Sequence, residues 1–554
     1  MASAQVLVPD ERILSAIFSE KIDIKPEKCN IISNTFDTCT FSIHCDTQLP
    51  GYTQNLLVRL ETSQRHLATV TMLQRLAYHQ LPDLVPLPLD VGFAPSKDGR
   101  EVAYSVTPYL DQTVTLEEVW DTLDQAEQRS FMESVVCSME KLQSLDRESN
   151  KALKIVEETV LGLKDHRDDS SWSVSAFAKS LGLHCSLDIQ QFLREILLAN
   201  GTKAPNCAII ENLGGIVVQS TFDDIGSVHL TSMDLESLQQ NVVFCHNDLE
   251  PQNLLVKRAE SGGHELAAII DWEMARFCPF AYVYACKDTF LGSSNLSFQW
   301  YSLFKRHAAR LLPQGECHAK MITAIHIIDE SKKRSMTRNV GVCFQAEWIT
   351  REKVEMSEDV RRGWVREEGV GVIPPFTKED KEQLELKVLK ELGLVAILLS
   401  MSTDELKRLA HAEYWNERYA GVGPDQQVHE WFRSFNDLMP FFDRHLFQQG
   451  YNGLLLPQTI PEEISKVDYK NQICVDFSPV VVQAMSIRHE AVGGITWKQA
   501  DVRCMDQIPS ESVDVAFDKG TLDAMIHGSP WDPPDEVLDN TGRYLREVRS
   551  KRLL

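Results

Sequence analysis

Short stretches that alternate apolar and polar residues dominate the first hundred positions. "CTFSIHC" (Cys39–Cys45) and "NLLVRLE" (Asn55–Glu61) read as strands, with the turn-rich "DTQLPGYTQ" between them. A helix is expected from about Gln64 to His79, where Leu67, Val70, Leu73 and Leu76 recur at helical spacing. "VAYSVTPYL" (Val102–Leu110) reads as another strand, interrupted near its end by a proline. The chain then turns mostly helical, over Leu116–Leu145, Ser173–Leu181 with Gly182 as its stop, and Leu187–Ala199. In "VVFCHNDLEPQNLLVKR" (Val242–Arg258) an apolar run, Val242–Cys245, meets His246-Asn247-Asp248, and a second apolar run, Leu254–Val256, follows Asn253. "ELAAIID" (Glu265–Asp271) is a further strand, with Glu260-Ser-Gly-Gly-His264 as the hairpin turn before it. Helical patterns resume to Leu392, the last with Thr377 as N-cap, Asp380 in the capping-box position and Gly393 as stop. A boundary near residues 394–410 separates this from a region of different grammar, a helix and then strands that end in acidic residues.

A chain of 554 residues exceeds what one hydrophobic core supports, so at least two domains are expected. With 43% hydrophobic and 25% charged residues and no biased tract, it has a globular composition. The net charge of −24 argues against nucleic acid or an anionic membrane as the main partner, although it leaves room for a local basic groove. The 13 cysteines are scattered, with no C-x-x-C pair, as expected of reduced thiols in the cytoplasm. The start lacks the grammar of a signal peptide, and the apolar run "LVAILLS" (Leu394–Ser400) is too short to span a bilayer. Oligomeric state is not legible.

His246-x-Asp248-x-x-x-x-Asn253, a hairpin, and then Asp271 at a strand end is the layout of a phosphoryl-transfer loop. A hydroxyl nucleophile needs a carboxylate to orient it and take its proton, a role that suits Asp248. The charge of a triphosphate calls for Mg²⁺, a hard cation that prefers oxygen ligands such as Asn253 and Asp271. "CHNDLEPQNLLV" and "AAIIDWEMA" resemble the catalytic and metal motifs of the aminoglycoside phosphotransferase and choline kinase-like family, in particular its fungal branch, over about residues 20–395. The resemblance implies an α+β protein-kinase-like bilobal fold, a small lobe over residues 1–110 and a large lobe over 111–395. It also implies ATP- and Mg²⁺-dependent phosphorylation of a small molecule's hydroxyl, with Asp248 as catalytic base and Asn253 and Asp271 as magnesium ligands. His246 would brace the loop; Glu273 has either a functional or a structural role. In the small lobe Arg59 stands where the family has a phosphate-binding lysine, and main-chain groups of about Thr107 to Tyr109 would meet adenine. The next helix offers Ala68 and Thr69 where an acid should hold that cation, and the phosphate-covering stretch "NIISNTFDTCTF" contains no glycine. A non-catalytic kinase-fold binding module therefore stays open as an alternative.

After a linker at 396–410, residues 411–554 resemble part of a seven-stranded S-adenosylmethionine-dependent methyltransferase, of the kind that modifies lysine on an elongation factor. "EYWNERY", "ICVDFSPVVVQAM", "WKQADVRCMDQIP" and "SVDVAFDKGTLDAMI" carry the resemblance. It implies an incomplete α/β Rossmann-like domain in which Asp476 would bind the cofactor ribose, Asp501 the adenine amine, and Asp518 and Lys519 would lie beside the methyl group. No glycine occurs between Gly453 and Gly493 to form the cofactor turn, and after Asp518 only 36 residues remain, which read as one helix. The expectation is a truncated sheet with an uncovered apolar face, and neither methyl transfer nor productive S-adenosylmethionine binding. An active methyltransferase with an accessory kinase-like domain is the rival reading. Three lesser features are expected to be bland: "HRDDSS" (His166–Ser171) as a charged turn, "RRGWVREEGV" (Arg361–Val370) as an exposed turn rather than part of a substrate lip, and the Cys207 and Cys245 thiols as inert.

Overall fold

In the computed structural model of the protein the described residues are 7–18, 24–35, 37–45, 51–163, 172–198, 206–259, 262–371, 373–392, 408–419, 442, 454–456, 464–465, 471–518, 521–526 and 534–551. "LVAILLS", "HRDDSS", Lys519 and most of the linker lie outside them. The chain divides into two compact units, Val6–Val388 and Leu389–Leu554.

The first unit begins with helix α1 (Glu11–Phe18) and strands β1 (Cys29–Asn34), β2 (Thr38–His44) and β3 (Asn55–Glu61). Helix α2 (Gln64–Gln80), β4 (Asp90–Pro95) and β5 (Glu101–Pro108) complete the small lobe, whose sheet runs β1-β2-β3-β5-β4, all antiparallel. Period-2 alternation sends Phe41, Ile43, Leu56, Val58, Leu60, Tyr104 and Val106 to one face, where they meet Ile13, Leu14, Ile17 and Phe18 of α1. An eight-residue helix is marginal by itself; burial of each such side chain, about 1.5–3 kcal/mol, holds it. α2 covers the opposite face. Its Ala68 is buried in the core, so the position at which an acid was sought has no room for a hydrated carboxylate.

The large lobe comprises β6 (Val114–Thr115), α3 (Leu116–Val119), α4 (Gln125–Gln143), α5 (Asn150–Gly162), α6 (Val174–Leu181), α7 (Ile189–Leu198), β7 (Cys207–Asn212), β8 (Gly215–Ser220) and β9 (Ser227–Thr231). It continues with α8 (Ser232–Gln240), β10 (Val242–Cys245), β11 (Leu254–Arg258), β12 (His264–Ile269), β13 (Arg276–Pro279), α9 (Phe280–Phe290), α10 (Phe298–Ala308), α11 (Glu316–Ser335), α12 (Val340–Glu352), β14 (Val354–Met356), β15 (Trp364–Arg366) and α13 (Lys378–Glu391). The antiparallel small-lobe sheet and this mostly helical partner make the protein-kinase-like bilobal fold that was expected.

Three expectations change. The helix read over Leu116–Leu145 is broken: a 3-10 turn at Trp120–Thr122 ends α3, and Asp124 restarts the chain as N-cap of α4 in a capping box with Glu127. The D-x-x-E spacing of Asp124 and Glu127 was the available signal. A three-stranded sheet, β7-β8-β9, occupies Cys207–Thr231, where no strand had been read. Its buried Ile209, Ile216 and Val218 alternate, and "NLGG" (Asn212–Gly215) is a hairpin signal. Arg361–Val370 is no free turn: Trp364 donates its backbone N–H to Tyr301 Oη (2.7 Å) and its indole N–H to the Asp288 carbonyl (3.0 Å). Gly363 (φ 62°) lies against Tyr301 and Asp288, where a Cβ would collide. By contrast Gly182 (φ 79°) closes α6 in the left-handed conformation, and Thr377 and Asp380 form their reciprocal cap.

The second unit holds a parallel sheet of β16 (Leu454–Leu456), β17 (Gln472–Asp476), β18 (Ile495–Gln499) and β19 (Val515–Ala516), in the order β18-β17-β16-β19. Among the described residues these four parallel strands make a partial α/β Rossmann-like arrangement. The expected helix spans Asp535–Lys551 and covers apolar surface that had been expected to lie bare: Val548 packs against Ala500, Met505, Ile508 and Val513. Among the described residues no helix is long and apolar enough to cross a membrane.

Candidate active site

β10 does not pair with the strand that follows it. It pairs with β13, Phe244 opposite Phe277, while β11 pairs with β12, Leu254 opposite Ile269. The stretch from His246 to Asn253 thus runs between two separate ribbons, and each fixes one end of it.

His246 is buried, and its Nε2 lies 2.8 Å from the Ile270 carbonyl oxygen. A carbonyl only accepts, so Nε2 carries the hydrogen, and Nδ1 accepts the backbone N–H of Asp248 at 3.3 Å. Burial pushes the imidazole pKa down to about 4, which keeps this neutral tautomer. The ring stands edge-on to Trp272, with centroids 4.5 Å apart. Asn247 adopts φ 67°, and its amide donates to the Met274 carbonyl at 2.8 Å. Both residues bind the loop to the segment around Asp271.

Asn253 ends a 3-10 turn (Pro251–Asn253) and is buried. Its Nδ2 donates to the Asp248 carbonyl and to the Asp248 carboxylate, each at 2.8 Å. Both amide hydrogens are engaged on Asp248, which leaves Oδ1 as the free end. The Asn253 carbonyl accepts the N–H of Ile270 at 3.0 Å, so Asp271 follows one residue beyond that bond. Asp271 itself has φ 65°, a turn out of the ribbon. Burial raises its carboxyl pKa, as do the charges of Glu273 and Asp248, while Arg59 opposes the shift. The structure therefore brings Asp248, Asn253 and Asp271 to one end of one ribbon. The free Oδ1 and the Asp271 carboxylate are hard oxygen donors that fit Mg²⁺, an ion that completes its shell with water and phosphate oxygens.

Beneath the loop is a charge that the sequence reading missed. The Glu250 carboxylate is buried and bonds Lys287 Nζ, Asn295 Nδ2 (3.0 Å) and Trp300 Nε1 (3.0 Å), while Lys287 also donates to the Leu249 carbonyl (2.8 Å). The partners of Glu250 lie far along the chain, so the sequence alone carried no sign of the pairing.

In the small lobe Arg59 Nη2 lies 2.7 Å from Glu61 Oε1 and 3.1 Å from Glu273 Oε2. Burial opposes the Arg59 charge, but these two carboxylates more than offset it and hold its pKa above the ordinary value. The hinge stretch is partly committed to the sheet. Tyr109 donates its N–H to the Asn55 carbonyl at 3.0 Å, and Thr107, opposite Leu57, falls in the same hydrogen-bonded phase. Of the Thr107–Tyr109 main chain, the Pro108 carbonyl is in the opposite phase, turned away from β3. The turn between β1 and β2 spends its own amides: Thr35 N–H on the Thr38 carbonyl (2.7 Å), Asp37 and Thr38 N–H on Thr35 Oγ1 (3.2 and 3.0 Å).

In the second unit Asp476 and Asp501 stand at the ends of adjacent strands, tied by the Ala500 N–H on the Asp476 carbonyl (3.0 Å). Asp476 Oδ1 accepts the Ser478 N–H at 2.8 Å. The Asp501 carboxylate is closed by Arg503, through Nε at 2.9 Å and Nη2 at 2.8 Å; although burial works against the ionised form, these bonds hold its pKa low. Asp518 caps the next turn through the Thr521 and Leu522 N–H groups (3.0 and 2.9 Å). The turn expected to lack its glycine lies almost wholly outside the described residues.

Residues 54–285 match the model of the phosphotransferase enzyme family, the resemblance that the His246–Asn253 and Asp271 motifs implied. Solved structures similar in fold include an APH(2'')-IIIa enzyme in complex with GDP and kanamycin, 11% identical, with TM-score 0.33 over 61% of this chain and 94% of that one. A choline/ethanolamine kinase family protein from Mesorhizobium loti is 9% identical, with TM-score 0.26 over 66% and 92%. The methyltransferase-like resemblance is also borne out. EEF1A lysine methyltransferase 4 of Mus musculus is 33% identical over 153 residues, 24% of this chain and 54% of the relative. Its Bos taurus counterpart is 35% identical over 146 residues, with the same shares. The chain spans about half the length of these curated relatives.

Proposed function

We propose that the protein is an ATP- and Mg²⁺-dependent phosphotransferase whose acceptor is a hydroxyl on a small molecule. The observation that carries this is the pair of hydrogen bonds that Asn253 Nδ2 donates to Asp248, which fixes the carboxylate and leaves the amide oxygen at the ribbon end that Asp271 follows. In this reading Asp248 orients the acceptor hydroxyl and takes its proton as the phosphoryl group passes in line. His246, Lys287 and Glu250 keep the loop in place; Arg59 meets the nucleotide phosphates and the Pro108 carbonyl the adenine edge. Bound Mg²⁺, held by Asn253 Oδ1 and Asp271, would neutralise phosphate charge. An acceptor has room in a cavity of about 700 Å³ that touches Pro251 and Gln252 and is walled by Trp120, Arg129, Phe298 and Arg306. The small lobe is assigned to residues 1–110, the large lobe to 111–395, a linker to 396–410 and the methyltransferase-like remnant to 411–554. None of the thirteen cysteines is in a disulfide, which suits a cytoplasmic protein. The engaged Asp501 supports a remnant that neither binds S-adenosylmethionine nor transfers methyl groups.

The test is a phosphate-transfer screen over amino sugars, choline-like amines and sugars. Turnover of ATP tied to one acceptor class supports the proposal; no transfer to any of them, with nucleotide bound, refutes it in favour of a second reading. That second reading, a kinase-fold binding module without chemistry, draws on the β1–β2 turn, whose bonded amides are not available to phosphate.

A further inference from the structure

Arg59 is gripped from two sides. Glu61, nearly fully buried on the same strand, lies 2.7 Å from Arg59 Nη2, and its other oxygen bonds His66 Nδ1 at 2.8 Å near the start of α2. Glu273 reaches the same nitrogen at 3.1 Å from the large lobe, two residues beyond Asp271. Only the Glu273 contact has hydrogen-bond geometry, since Glu61 Oε1 and Arg59 Nε are both buried without a hydrogen-bond partner. Among the described residues Arg59 Nη1 makes no hydrogen bond. The guanidinium is thus fixed along one edge and open on the other, and the bond that gives it direction crosses between the lobes.

A guanidinium is a planar fork, so holding one nitrogen sets the direction of the rest. A long side chain fixed before a ligand arrives loses less freedom on binding. The alternative is competition, in which Glu273 occupies the cation that phosphate needs and its removal tightens binding. Geometry favours the first, because Glu273 takes Nη2 and leaves Nη1. We propose that Glu273 is a positioning residue: it aims Arg59 at the nucleotide phosphates from across the cleft, so that phosphate binding and approach of the two lobes depend on one ion pair. This rests on the phosphotransferase reading.

The experiment is equilibrium binding of a fluorescent ATP analogue, with and without Mg²⁺, to the full chain and to Glu273→Gln, Arg59→Ala and the double variant. Glu265→Gln, which breaks the exposed Lys257–Glu265 pair (3.1 Å) on the β11–β12 ribbon, is the control and should bind as the parent does. Glu273→Gln should weaken binding about fivefold, the size of a half-exposed pair. The double variant should bind no worse than Arg59→Ala, since the two act through one contact. Glu273→Asp, which keeps the charge with a shorter reach, should fall between, with melting unchanged. Equal or tighter binding by Glu273→Gln, or additive losses, would overturn the inference alone. Absence of binding by the parent with Mg²⁺ would overturn the phosphotransferase reading and this inference together.

Discussion

Asn253 donates its side-chain amide to both the carbonyl and the carboxylate of Asp248, at 2.8 Å each. One residue thereby fixes the backbone and side chain of the proposed base. In the proposed mechanism the same amide positions the base and offers its oxygen to Mg²⁺.

Replacement of Asp248 by Asn should therefore keep the loop, because the new amide oxygen can still accept from Asn253, but remove the proton acceptor. Turnover of the acceptor found in the screen should fall by about 10²–10⁴-fold. The checks are steady-state kinetics and an unchanged melting curve; a variant with parental turnover would remove Asp248 from the chemistry.

His246 makes stability depend on pH in a definite direction. Its folded pKa, about 4, lies below the ordinary 6.5, so the unfolded chain takes up a proton first as pH falls. The contribution is complete at neutral pH and is lost between about pH 6.5 and 4, to the extent of roughly 3 kcal/mol. His246→Gln should be less stable than the parent at pH 7.5, with a gap that narrows toward pH 4.5 in thermal denaturation. A gap that widens on acidification would contradict the burial argument.

Lys287 is the counter-charge of the buried Glu250. Lys287→Met should cost about 3–5 kcal/mol, because it strands a carboxylate in the core, and Glu250→Gln in the same chain should restore part of the loss. Chemical denaturation of the single and double variants decides it; a single-variant cost below about 1 kcal/mol would mean that the pair is dispensable.

S-adenosylmethionine should give no saturable heat when titrated into the full chain, because Arg503 already occupies the Asp501 carboxylate. Saturable binding that disappears in Asp476→Ala would restore the methyltransferase-like unit as a cofactor site.

Much of the site was legible because its residues are close in the chain. His246, Asp248 and Asn253 share one loop between apolar strands, and Asp271 follows a hairpin whose Leu254–Ile269 register is local. Two polar residues were legible only in part: Thr107 and Tyr109 were placed on the right stretch, but strand phase turns their main chain toward β3. Glu273 was visible as a neighbour of Asp271 yet without a role, since its partner Arg59 is 214 positions away. The helix break at Asp124 and the β7–β9 hairpins had signals in capping and turn residues that helical composition masked.

By itself the sequence determined most of the periodic elements, the order of the candidate catalytic and metal residues, and the two family resemblances, because strand alternation, helix caps and loop spacing act over a few residues. Tertiary structure alone decided which distant charges meet: Arg59 with Glu273, and Glu250 with Lys287. Ion pairs form wherever the fold brings opposite charges within reach of each other and away from water, and distance along the chain carries no trace of that.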